Sequence, residues 1–155
     1  NNVFDLTVLL ASERGMGEML DWLEISASQK GKLDTSVLDP SEKIGWLKHA
    51  FVLAFMYLKD NNISYQHAIR ETIALAGDTD TNAAIVGGMI GALLGRKGIK
   101  NDYIEKVLTC DISKGRHGDR PMELDPAKSF LKLFDVMMGK CPSQIVVETG
   151  APAKK

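Results

Sequence analysis

Gly77-Asp78-Thr79-Asp80-Thr81-Asn82, running into Ala83-Ala84-Ile85-Val86-Gly87-Gly88-Met89-Ile90-Gly91-Ala92-Leu93-Leu94-Gly95, is the stretch on which the reading of this chain turns. Ahead of it, Ala68, Ile69, Ile73 and Leu75 recur at helical spacing behind Ser64, whose hydroxyl suits an N-cap. Behind it, residues 79–94 contain one charge, at the start, and otherwise small and apolar side chains, which predicts a second helix. The motif therefore links the end of one helix to the beginning of the next. Gly87, Gly91 and Gly95 fall four residues apart, with Gly88 and Ala92 on the neighbouring row. Each glycine costs about 1 kcal/mol of helix stability relative to alanine. That cost is tolerable where another helix must approach closely, whether to fix the Asp-bearing end or simply to pack.

The same 3.6-residue periodicity extends outward. Phe4, Leu6, Val8, Leu9 and Leu10 open an apolar segment, and Met16, Met19, Leu20, Trp22 and Leu23 continue it. Gly15 and Gly17 between them allow two helices or one interrupted helix. Residues 27–41 lack periodicity and read as a loop. Ser41, with Glu42 in the first turn, is expected to cap a helix over 42–59 that is apolar on nearly every face and hence central. Gly98 is expected to end the helix after the motif, and Asp102 to begin another. Residues 111–125 read as a polar loop, and Asp125-Pro126 starts a last helix over 126–138. No convincing alternating strand and no repeat of 20–50 residues is found. The expected fold class is all-α, a compact multi-helix bundle in one domain over residues 1–141. The tail, 142–155, is expected to be partly disordered.

Composition excludes several function classes. The chain has 155 residues, with 19 basic against 20 acidic, so it carries no electrostatic footprint for nucleic acid or a membrane surface. Its longest strongly apolar run, Ala83 to Leu94, is short of the roughly 18 residues that cross a bilayer. Cys110 and Cys141 are too far apart for a CxxC site and too few for a disulfide framework, which suits an intracellular, cytoplasmic setting, although an organelle fits as well. The opening Asn1-Asn2-Val3-Phe4-Asp5 has neither an initiator Met nor a signal pattern, as expected of a segment from within a longer product.

Two carboxylates and two hydroxyls within four residues suit a hard cation, which prefers oxygen ligands. In an extended loop, Asp78 and Asp80 would point to one side. The competing reading is helix capping, with Asp78 or Thr79 at the N-cap and Asp80 favoured by the helix dipole. Capping needs one acceptor, whereas this loop supplies four oxygen side chains. An EF-hand in this register requires Gly at position six and Glu at position twelve, where the chain has Ala83 and Met89. A phosphatase of the Asp-x-Asp type would need a buried strand before the motif, but Glu71 to Ala76 is helical in pattern.

Residues 74–87 closely resemble the C-terminal signature of the ADP-ribosylglycohydrolase family, the family of the dinitrogenase reductase-activating glycohydrolase. Gly45-Trp46-Leu47-Lys48-His49-Ala50-Phe51 is similar to the helix start that precedes that signature. The likeness is good over about 42–96 and loose elsewhere. It implies an all-α bundle with two magnesium ions (Mg2+) at the base of a cleft. The implied reaction is hydrolysis of the bond between ADP-ribose and a protein side chain or another acceptor. On this resemblance Asp78, Asp80 and Thr81 are metal ligands, Gly77 lets backbone approach the substrate, and Trp46 flanks the adenosine or serves as a core aromatic. The family's other ligands come from an N-terminal Thr-Asp-Asp motif, preceded by a Gly-Asp-Ala-type motif, and this sequence contains neither. The resemblance therefore implies a fragment, or a companion chain carrying the N-terminal half. The rival is an inactive relative with a structural or interaction role. No catalytic base is identified. His49, His67 and His117 join no recognisable constellation and are expected to be structural or solvent-facing. Lys114 to Arg120 reads as a solvated basic loop.

Overall fold

The computed structural model describes residues 2–111 together with Val136 and Gly139. They form α1 (Asn2–Glu13), α2 (Gly17–Ser28), α3 (Leu47–Lys59), α4 (Tyr65–Ala74), α5 (Thr79–Gly98) and α6 (Asn101–Leu108), with no strand among the described residues. The all-α class is as the periodicity predicts. The chain separates into two compact units, residues 1–99 and residues 100–155. The expected polar loop, last helix and tail lie outside the described residues, as do His117, Cys141 and the basic stretch 114–120.

The first unit is organised around α3, in which Ala50 and every residue from Val52 to Leu58 are buried. One side of α3 presents Phe55 and Leu58 to Phe4, Ala11 and Leu23 of α1 and α2. The Phe4 and Phe55 rings meet edge to face with centroids 6.0 Å apart. The other side presents Leu53, Met56 and Tyr57 to Val86 and Ile90 of α5, Ala68 of α4, and Leu33 and Leu38 of the long loop. Burial pushes the Tyr57 phenol up to about 12, opposed by its hydrogen bond with Thr72. A helix covered on both sides must be apolar all round, which is why its sequence lacks a polar face.

Local chemistry sets the boundaries. Gly15 (φ 65) ends α1 in a Schellman arrangement, its N–H donating to Ser12 and the Met16 N–H to Ala11, so α1 and α2 are two helices. Ser64 caps α4 by accepting the His67 N–H at 3.2 Å, as expected. The break in α5 falls at Gly95 (φ 65, ψ −177) rather than at Gly98. The start of α3 also differs from expectation, lying at Leu47 instead of Glu42. Ser41 cannot cap it, because its N–H and hydroxyl both donate to Asp39 Oδ1, at 2.9 and 2.7 Å. Lys43 (φ 48) and Gly45 (φ 83) then hold the chain out of helical conformation up to Trp46.

The small residues of α5 serve close approach to α4. A methyl group on Gly87 would stand 3.0 Å from Ile69 Cδ1 and 3.1 Å from the Tyr65 hydroxyl. In the second unit, α6 follows Lys100 and carries Asp102 in its first turn and Lys106 in its last, each favoured by the helix dipole.

Candidate metal-binding half-site

The sharp turn between α4 and α5 positions the acidic motif. Leu75 closes α4 by donating its N–H to Glu71, after which Ala76 (φ 61) and Gly77 (φ 72) are both left-handed. Gly77 is obligatory here, since a Cβ would fall onto the Pro40 carbonyl oxygen. Ala76 sustains the same conformation at a cost of about 1–2 kcal/mol. Asp78 then occupies the N-cap position of α5, its carbonyl accepting the Asn82 N–H at 3.0 Å. Its carboxyl makes no capping hydrogen bond. The capping role that competes with metal binding in the sequence is therefore not how this side chain is used.

The Asp78 carboxyl instead meets that of Asp80. The hydrogen bond with Asp78 is the main cause that holds the Asp80 carboxyl below its ordinary value, followed by the backbone N–H groups of Thr81 and of Asp80 itself. Two ionised carboxylates offer only acceptors and repel, which a cation between them would relieve. Asp80 and Thr81 are exposed, while Gly77 and Asp78 are half-buried and Asn82 is buried. The donor set suits magnesium, which combines one or two carboxylates with water and substrate oxygens. It is small: among the described residues no group of three or more His, Cys, Asp or Glu side chains could hold a metal ion.

The facing wall is the segment from Asp39 to Trp46, of which the sequence reading anticipates Trp46 but not the stretch before Gly45. Pro40 lies against Gly77, and a Cβ on Gly45 would be 3.7 Å from Asp78 Oδ2. The glycine thus leaves the carboxylate open on that side. Trp46 precedes α3 in extended conformation (φ −73, ψ 119) and is half-buried. Its ring meets Trp22 and His49 edge to face, with centroids 6.4 and 5.5 Å away. Lys43 and Lys48 place their Nζ atoms 4.7 and 5.1 Å from its centre. Trp46 is therefore both a packed aromatic and part of the segment beside the acidic turn. Only the Gly45-Trp46 dipeptide before an apolar run hints at this in the sequence; the Pro40–Gly77 contact leaves no local signal.

Among the histidines, His67 is exposed on α4, whereas His49 is 1% exposed and its Nδ1 has no hydrogen-bond partner. Of the two roles expected for His49, the structural one holds. Burial pushes its pKa down, the Asp39 charge opposes this, and Lys48 and Lys43 add to it. A histidine kept neutral in the folded state contributes stability that is full above its unfolded pKa, near 6.5. That contribution is lost as pH falls through the depressed folded value. The thermal midpoint should accordingly drop on acidification below about pH 6.5. His49→Phe should flatten that part of the profile, and an unchanged slope would show that other groups set it.

Comparison with known proteins follows this geometry. The family model for ADP-ribosylglycohydrolase matches residues 6–132. A protein of Acanthamoeba polyphaga mimivirus, whose name assigns it provisionally as an ADP-ribosyl glycohydrolase, is 35% identical over 74 residues. That match covers 48% of this chain and 22% of the viral protein. No solved structure gives a significant match. Among the described residues no helix is long and apolar enough to cross a membrane.

Proposed function

This chain belongs to the ADP-ribosylglycohydrolase family, and we propose that it supplies half of a dinuclear magnesium site for glycoside hydrolysis. The bond cleaved joins ADP-ribose to a protein side chain or to another acceptor, including a small molecule. The observation that carries the reading is the placement of Asp78 and Asp80 together at the start of α5, where the Asp78 carboxyl makes no capping hydrogen bond.

Asp78, Asp80 and Thr81 would hold the metal. Magnesium, when bound, supplies positive charge that polarises substrate oxygens and acidifies water. Asp78 and Asp80 bring the negative charge that attracts it, and the Thr81 hydroxyl adds a neutral oxygen. Gly77 lets the turn close against Pro40, and Gly45 keeps the side facing Asp78 free of a side chain, so that a ribose can approach the carboxylates. Trp46 offers an aromatic surface for the adenosine portion. The remaining ligands and the catalytic base belong to an N-terminal half, on the same polypeptide or on a companion chain.

Magnesium titration calorimetry tests this reading, with the chain alone and with any co-purifying polypeptide. Tight binding only in the presence of the companion, followed by release of ADP-ribose from a modified protein, is the expected result. Absence of binding in both samples would instead favour an inactive relative acting as a structural or interaction subunit.

A further inference from the structure

The segment opposite the acidic turn carries a cationic pair that the reaction chemistry does not use. Lys43 and Lys48 both stand over the Trp46 ring, at 4.7 and 5.1 Å from its centre. They reach it from opposite ends of a short segment, one from the loop and one from the first turn of α3. The loop fixes the first of them: Lys43 is a non-glycine residue in the left-handed region (φ 48), and its carbonyl accepts the Trp46 N–H at 3.0 Å. One residue before Trp46, Gly45 faces Asp78 Oδ2. Two ammonium groups and an aromatic ring are thus assembled beside a carboxylate pair.

The geometry points to Lys43 and Lys48 as the anion-recognising element of this site, taking the diphosphate of a nucleotide while Trp46 receives its base. This assignment rests on the reading that the site accepts ADP-ribose. An exposed ammonium over an indole is weakly held, whereas a lysine donating to a phosphate makes a charge-assisted hydrogen bond. A diphosphate should therefore draw both lysines off the ring and free its face for stacking. In the unliganded protein the same two cations keep the indole covered. The order of the segment matters: Gly45 leads to the carboxylates and Trp46 to the lysines. A ligand with a ribose beside a diphosphate would meet both in sequence.

The test uses the full chain in EDTA, so that metal plays no part, with tryptophan fluorescence as the signal. The probes are inorganic pyrophosphate and ADP-ribose, and Trp46→Phe separates the Trp46 signal from that of Trp22. Both probes should bind the wild type and change the Trp46 emission. ADP-ribose should bind more tightly than pyrophosphate, because the base adds its stacking. The double variant Lys43→Gln, Lys48→Gln should lose roughly tenfold or more of the affinity for either probe, and raising the salt should weaken the wild type. Binding by the double variant equal to that of wild type, or no binding of pyrophosphate by the wild type, would overturn the assignment. Magnesium calorimetry on the double variant, run together with the companion polypeptide, keeps the two readings apart. Retained magnesium affinity with unchanged probe affinity removes only the lysines' role, whereas probe binding without any magnesium site removes only the metal reading.

Discussion

Gly77→Ala should destabilise the first unit by about 2–5 kcal/mol, combining the left-handed penalty of an alanine with the overpacking of a Cβ against fixed backbone. The added methyl would meet the carbonyl of Pro40, which cannot turn aside as a flexible side chain can. For a chain of this size the thermal midpoint should fall by roughly 5–15 °C. Gly88→Ala is the control. Gly88 is helical and exposed, and a Cβ there meets nothing within 4 Å, so alanine should stabilise by about 0.5–1 kcal/mol. Urea unfolding of both variants decides the matter. Equal midpoints for Gly77→Ala and wild type would mean that Pro40 does not close on the turn.

The second large effect concerns the carboxylates. Asp80→Asn removes one of the two proposed charged ligands while leaving an exposed side chain of the same shape, so magnesium affinity should fall roughly a hundredfold or more. Helix content by circular dichroism should be unchanged. Asp78→Asn should do the same, since its carboxyl is not holding the helix end. Thr81→Ala, which removes the proposed neutral ligand, should cost less, about tenfold. Equal metal affinity in wild type and Asp80→Asn would refute the role of Asp80. A loss of helix content in Asp78→Asn would revive capping as the reason for the motif.

Much of the fold is legible in the residues because it is locally encoded. The all-round apolarity of α3 announces a helix covered on both sides, and the structure places α1 and α2 on one side of it and α4 and α5 on the other. Ser64 caps where its position suggests. The acidic turn is legible as a turn between helices. The start of α3 is misread because a serine before a glutamate looks like a cap from either direction. Only the structure shows Ser41 donating backwards to Asp39. The rest of the site depends on contacts between distant segments, Pro40 on Gly77 and Gly45 beside Asp78, and no local rule writes such contacts into the chain. His49 belongs to the same class, since its burial follows from what folds over it.

A helix wrapped on every side has a history as well as a place. While the polypeptide is being made, α1 and α2 are available to α3 as soon as it emerges. Val86 and Ile90, which cover its other side, are added only about thirty residues after Leu58. At ribosomal speeds of about 5–20 residues per second, that side of α3 has only Leu33, Leu38 and then Ala68 against it for about 2–6 s. For that interval Leu53, Met56 and Tyr57 are sticky surface on a nascent chain, open to other nascent chains and to chaperones. A ribosome stalled between α4 and α5 would therefore release a product prone to aggregate, whereas stalling after Ile90 would not.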